Sequence, residues 1–273
     1  LQVENFVNMS SITPEELLSK IKSNENVTIV DVRPFSKYVR EHIPKAIWFY
    51  VWDLTRHEEN LPSYLKSEEE LAKVLSKNGI DSDAETVVYC DLFSVTNASY
   101  FYFVLKYLGH EKVKVLEGGF ERWVELQYPL EKGIVQPKPA KFIPKINREI
   151  KANYEEVKQA VEKKDSVIID ARREEEYKGK ETTLPRAGRI PGSLNLPFLE
   201  FVEEKPFEIN IEKVKSRLNN IIKEKKKIIY YCSSGPMATY LYYLTEKVDP
   251  NSKAKVYLES FIDWINKGEK IES

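Results

Sequence analysis

Two cysteines, Cys90 and Cys232, have the clearest capacity for covalent chemistry in this chain of 273 residues. Each closes a short apolar run, TVVYC or IIYYC, and each precedes a helix-forming stretch. After Cys232 the chain reads CSSGPMATYLYYL, where Gly235 and Pro236 force a turn before the helix. Such a loop points successive backbone N–H groups inward, and the following helix adds its positive end. Both effects favour a thiolate, or the anionic persulfide it could carry, over the neutral thiol. The hydroxyls of Ser233 and Ser234 can donate further hydrogen bonds. Cys90 lies in CDLFSVTNAS, a longer loop with no glycine and with Asp91 beside the sulfur. A neighbouring carboxylate raises a thiol's pKa. The expectation is a nucleophile at Cys232 and a vestigial copy at Cys90.

These loops need a scaffold, and the sequence supplies it twice. Asp31, Arg33, Tyr38, Ile43 and Pro44 recur as Asp170, Arg172, Tyr177, Ile190 and Pro191. Phe120 and Trp123 of LEGGFERW recur as Phe261 and Trp264 of LESFIDW. Tyr177 and Ile190 stand further apart than Tyr38 and Ile43, so the second copy carries an insertion. Anchors in one order at nearly constant separation mark a tandem duplication.

Each copy opens with a capped helix, TPEELLSKIK or NYEEVKQAVEKK. A β-branched run follows, VTIVDV or SVIIDA, too short for a helix and suited to a buried strand. A polar segment and a second helix lead to the strand before each cysteine. After it come an aromatic-rich helix, a strand (KVKVL or AKVYL) and a final helix carrying the Trp. This alternation implies an α/β fold of two domains, each a mainly parallel sheet with helices on both faces, related by a pseudo-twofold. In open α/β sheets ligands sit beyond the carboxyl ends of the strands, where both cysteines fall. Pro137, Pro139 and Pro144 mark a Pro-rich linker over residues 133–146. It separates an expected non-catalytic domain, residues 1–132, from a catalytic one, residues 147–273.

Composition removes several function classes. Lys and Arg number 42 against 43 Asp and Glu, which argues against nucleic-acid binding. No apolar run approaches the roughly eighteen residues of a membrane helix. The opening LQVENFVNMSSITPEELL has no basic segment before an apolar core, so no signal peptide is expected. Two cysteines cannot build a disulfide framework and suit a reducing, cytoplasmic interior. His42, His57 and His110 offer too few ligands for a zinc cluster. The basic run at 223–227 precedes the strand leading to Cys232, about 16 Å from the sulfur by strand rise, and reads as a solubility feature. Glu174, Glu175 and Glu176 read as a solvated helix face. Tyr240, Tyr242 and Tyr243 read as core and interdomain packing.

The DxR…Y…IPG…P pattern, the strand-Cys-loop-helix and the closing SF…W together resemble the rhodanese family. The tandem arrangement, with its active cysteine in the second copy, is similar to thiosulfate and 3-mercaptopyruvate sulfurtransferases. The resemblance implies that Cys232 accepts a sulfane sulfur, holds it as a persulfide and passes it to cyanide or a thiol. It makes the loop of Ser233, Ser234, Gly235, Pro236, Met237 and Ala238 the cradle, with Ser260 matching a family serine near the sulfur. An anionic donor needs a cation, and Arg172, Arg186 and Arg189 are the candidates. Arg172 recurs as Arg33, which suits an ion pair with Asp170, whereas Arg186 lies in the insertion. No metal or organic cofactor is implied, because sulfur carries the transferred electrons.

Thiosulfate is the expected donor and 3-mercaptopyruvate the alternative. Thiosulfate users tend to carry basic residues where Ser233 and Ser234 stand, and both groups usually have Val-Thr in place of Pro236-Met237. A monomer is expected, since the duplication supplies an internal pseudo-dimer. A cysteine phosphatase would need an Arg closing the loop, where this chain has Ala238 and Thr96. A degenerate binding module is the remaining alternative.

Overall fold

The computed structural model describes residues 10–56, 64–223 and 227–273. Residues 1–9, His57 and most of the basic run at 223–227 lie outside the described residues, and with them the expectations placed there. The chain forms two compact units. The first comprises Leu1–Thr55, Leu65–Ile146 and Val202–Ile209; the second comprises Arg56–Tyr64, Asn147–Phe201 and Asn210–Ser273.

In the first unit the order is β1 (Ser11–Ile12), α1 (Pro14–Lys22), β2 (Val27–Asp31), α2 (Phe35–Arg40) and β3 (Ile47–Trp48). It continues with α3 (Glu68–Lys77), β4 (Glu85–Tyr89), α4 (Val95–Tyr107), β5 (Val113–Leu116) and α5 (Gly119–Glu125). The second unit repeats this as β6 (Lys151–Ala152), α6 (Tyr154–Lys163), β7 (Ser166–Asp170), α7 (Glu174–Tyr177) and β8 (Leu194–Asn195). Then come α8 (Ile211–Lys223), β9 (Lys227–Tyr231), α9 (Pro236–Val248), β10 (Ala254–Tyr257) and α10 (Ser260–Asn266). The sheets have the orders β1-β5-β4-β2-β3 and β6-β10-β9-β7-β8, and the pairing is parallel throughout.

Local chemistry explains where the elements begin. Thr13 caps α1 with a capping box to Glu16, and Asn153 caps α6 in the same way with Glu156. Each box satisfies two backbone donors that a helix start would otherwise leave open. The strands before the cysteines are buried over their last four residues. Strands covered on both faces are apolar runs without alternation. Leu17, Ile29, Val87 and Trp123 fill one core, and Val157, Ile229, Phe261 and Trp264 fill the other.

Register then sets the functional end of each sheet. Asp170 pairs with Tyr231 across β7 and β9, as Asp31 pairs with Tyr89 across β2 and β4. Each acid of the DxR pattern therefore stands beside the residue that precedes a cysteine.

Four strands escape the sequence pattern. β1, β3, β6 and β8 are two residues each, too short to show a period, and are defined by pairing with longer neighbours. Residues 133–146 have no regular secondary structure apart from a bend at Gly133. Backbone bonds from Ala140 to Ser76, from Ser82 to Lys141 and from Lys145 to Leu108 tie them to the first unit. Phe142 is buried.

Candidate active site

Cys232 follows the last residue of β9 and is fully buried. Three residues further, Gly235 adopts φ 109°, and its N–H donates to Sγ of Cys232 at 3.0 Å. A side chain there would meet the carbonyl oxygen of Leu258 at 2.6 Å, so only glycine permits this approach. Pro236 then starts α9, where its missing N–H leaves no intrahelical bond unmade. Burial pushes the Cys232 thiol up, while backbone amides of Ala238, Ser234, Gly235 and Met237 pull it down. Four N–H groups from one loop thus favour negative charge on a sulfur screened from water. Buried donors in such a site act more strongly than they would in solvent.

The other wall comes from the start of α10. Ser260 has φ 59°, a left-handed conformation uncommon outside glycine. Its Oγ accepts the N–H of Cys232 at 3.1 Å, donates to the carbonyl of Tyr257 at 2.9 Å and lies 4.0 Å from Sγ. The N–H of Phe261 donates to the carbonyl of Cys232, and that of Ile262 to the carbonyl of Ser233. Ser233 is buried, whereas Ser234 and Met237 are partly exposed.

The arginines make their polar contacts elsewhere. Arg172 is 1% exposed; its Nε and Nη2 donate to Asp170, and Nη2 also donates to the carbonyl of Gly188. Its guanidinium lies over the Phe261 ring at 4.4 Å. Arg33 repeats the arrangement with Asp31, the carbonyl of Glu41 and Phe120. Such a repeated buried pair serves the scaffold. Arg186 is exposed and donates to the carbonyl of Glu269 at 3.3 Å. Arg189 lies over the Tyr177 ring and near Glu272. Tyr240, Tyr242 and Tyr243 are buried on α9. Glu174 pairs with Lys178, and Glu176 with Arg173.

One buried polar side chain was not singled out by the sequence. The phenol of Tyr231 accepts the N–H of Ile190 at 3.1 Å and bonds the Ser193 hydroxyl at 3.0 Å. With Asp170 and Arg172 it belongs to a buried polar network at the carboxyl ends of β7 and β9. The recurrence of Tyr before both cysteines was the available signal.

Cys90 occupies a different setting. It too is fully buried, and its thiol is pushed well up by burial, then by Asp91, Glu121 and Asp31. The N–H of Leu92 donates to Oε1 of Glu121 at 2.9 Å, and that of Asp91 to Oγ of Ser94 at 3.2 Å. Two amides of this loop are thus taken up by side chains, one from the loop and one from α5. At the position of Ser260 stands Gly119, φ 54°, with no hydroxyl.

Among the described residues, no group of three or more His, Cys, Asp or Glu is placed to hold a metal ion. No helix among them is long and apolar enough to cross a membrane.

Comparison with known proteins places this geometry in context. A family model for the Rhodanese-like domain matches twice, over residues 13–126 and 153–267. Thiosulfate sulfurtransferase of Bos taurus is 28% identical over 241 residues, covering 85% of this chain and 80% of that protein. The 3-mercaptopyruvate sulfurtransferase of Escherichia coli strain K12 is 30% identical over 235 residues, covering 84% and 82%. The crystal structure of SseA from Escherichia coli, described as showing the rhodanese fold of 3-mercaptopyruvate sulfotransferases, superimposes with a TM-score of 0.80. It has 25% identity, with 93% of this chain and 99% of that one covered.

Proposed function

Since the chain belongs to the rhodanese family, in a tandem two-domain form, we propose that it is a sulfurtransferase that uses Cys232 as sulfur carrier and thiosulfate as donor. The observation that carries this reading is the contact of the Gly235 amide with Sγ, beside the amides of Ser234, Met237 and Ala238, which also favour an anion there.

The reaction divides into two displacements. The Cys232 thiolate attacks the outer sulfur of thiosulfate; a new S–S bond forms, the old one breaks, and sulfite leaves with its electron pair. The persulfide so formed carries its negative charge on the terminal sulfur, within reach of the loop amides. Cyanide or a thiolate then attacks that sulfur, taking it as thiocyanate or a new persulfide and returning Cys232 as the thiolate. Ser260 holds the backbone N–H of Cys232, and its hydroxyl lies 4.0 Å from the sulfur. The loop residues 233–238 form the donor site, and exposed Arg186 supplies its cation. Arg172 contributes through the scaffold.

A second donor, 3-mercaptopyruvate, is favoured by one feature. Ser233 and Ser234 place no cation beside the sulfur, and the Escherichia coli relative carries that activity in its name. In this reading the first domain, residues 1–132, is non-catalytic, residues 133–146 link it to the catalytic domain, and the protein works as a cytoplasmic monomer.

Intact mass after exposure to each donor, then to cyanide, tests the proposal. The expected result is a gain of one sulfur on Cys232 that cyanide removes, with the faster donor naming the substrate. No gain with either donor, or a gain that survives Cys232→Ser, would refute it.

A further inference from the structure

The turn that presents Ser260 is braced by a group of oxygens whose counterparts are missing from the first unit. Tyr257 ends β10, and its carbonyl accepts the Ser260 hydroxyl at 2.9 Å. Its phenol reaches forward along the chain and donates to Oδ2 of Asp263, on α10. The second oxygen, Oδ1, accepts the phenol of Tyr64, and Nζ of Lys267 lies 4.0 Å from it. Asp263 is 3% exposed. A carboxylate so buried is tolerated only when both oxygens are satisfied. At the corresponding positions of the first unit stand Leu116 and Arg122, around the Gly119 turn. Brace and hydroxyl therefore occur together, in the unit whose cysteine sulfur faces its loop amides.

We propose that Asp263, held by Tyr257 and Tyr64, is a positioning residue for sulfur transfer: it locks the turn from Tyr257 to Asp263 and so keeps Ser260 against Cys232. The inference rests on Cys232 being the sulfur carrier. Its physical basis is the strain at Ser260, since a non-glycine residue at positive φ persists only where its surroundings over-determine it. Asp263 bridges the two ends of that turn, so releasing it frees Ser260 to relax toward negative φ. The hydroxyl then leaves the Cys232 N–H, and the sulfur loses a fixed neighbour. Asparagine is a weaker brace, because it offers one neutral acceptor oxygen, and one of the two phenols must turn from donor to acceptor to meet its N–H₂ group.

The test uses the full chain with Asp263→Asn, Asp263→Glu and Tyr257→Phe. Three quantities are read: sulfur loading of Cys232 over a range of donor concentrations, iodoacetamide alkylation of Cys232 by mass, and melting temperature. Asp263→Asn is expected to lower the maximal loading rate about tenfold or more at unchanged half-saturation, as misplacement of a reacting group does. Alkylation of Cys232 changes with it, Asp263→Glu recovers part of the loss, and Tyr257→Phe moves in the same direction. Lower melting with loading and alkylation both at wild-type rates would overturn the proposal and leave the brace a purely structural one. Should Asp263→Asn fail to fold, Tyr257→Phe decides by the same readouts, since it keeps the carboxylate paired with Tyr64. Alkylation needs no sulfur donor; a wild-type chain that takes no sulfur sinks the proposed function while the alkylation arm still decides the brace.

Discussion

The N–H of Gly235 points at Sγ of Cys232 from 3.0 Å away, and only the absence of a Cβ lets it do so. Gly235→Ala would place a methyl 2.6 Å from the carbonyl oxygen of Leu258 at a φ that L residues avoid. The loop must then shift. We expect a stability loss of about 1–3 kcal/mol, the usual range for such strain. Loss of one aligned donor should lower sulfur loading about a hundredfold. Urea melts and thiocyanate formation measure the two, and wild-type loading in the variant would contradict the cradle.

Ser260→Gly separates stability from function. Glycine relieves the left-handed strain at φ 59° and removes the hydroxyl. Relief of strain offsets the loss of the hydroxyl's two buried bonds, so stability should change by no more than about 2 kcal/mol while sulfur loading falls. A variant that loads at the wild-type rate would show that the hydroxyl has no part in the chemistry.

The buried pairs predict a scaffold defect instead. Asp170→Asn leaves Arg172 charged, buried and short of its partner, at a cost of about 3–5 kcal/mol. Asp31→Asn should destabilise by a similar amount in the unit without the proposed nucleophile. Arg186→Ala, at an exposed site, should leave the melting curve in place and raise the half-saturating donor concentration. Equal stability losses for all three variants would refute this division of roles.

Both thiols are pushed up by burial, and for Cys90 the carboxylates of Asp91, Glu121 and Asp31 add to it. The thiolate is the reactive form, so alkylation of Cys232 should climb as pH rises and reach half-maximum above an ordinary thiol. Cys90 should need a still higher pH. Because both folded values are raised, these thiols favour the native state most below about pH 8.5, and that contribution fades as pH climbs through their folded values. Iodoacetamide labelling across pH, read by peptide mass, checks the order; Cys90 reacting first would reverse the assignment.

Much of this was legible in the residues. VTIVD and SVIID are buried strands because nothing in them interrupts an apolar, β-branched run. Thr13 and Asn153 announce helix starts through their own side chains. CSSGP displays its turn through the conformational freedom of one residue and the rigidity of the next. What the sequence concealed depends on contacts between distant segments. Tyr231 looks like one more core aromatic until register sets it opposite Asp170. Tyr64 and Asp263 are far apart in the chain, and no local pattern joins them. β3 and β8 are too brief to carry a period and exist through β2 and β7.

Gly119 and Ser260 occupy the same turn in the two units, so every molecule carries a built-in reference for its proposed nucleophile. Reagent dose, exposure time and protein concentration act equally on Cys90 and Cys232 within one chain. The ratio of their labelling is therefore a self-normalised measure of what the surrounding loop does to a sulfur. It can be read from a single digest, in a crude extract as well as in purified material.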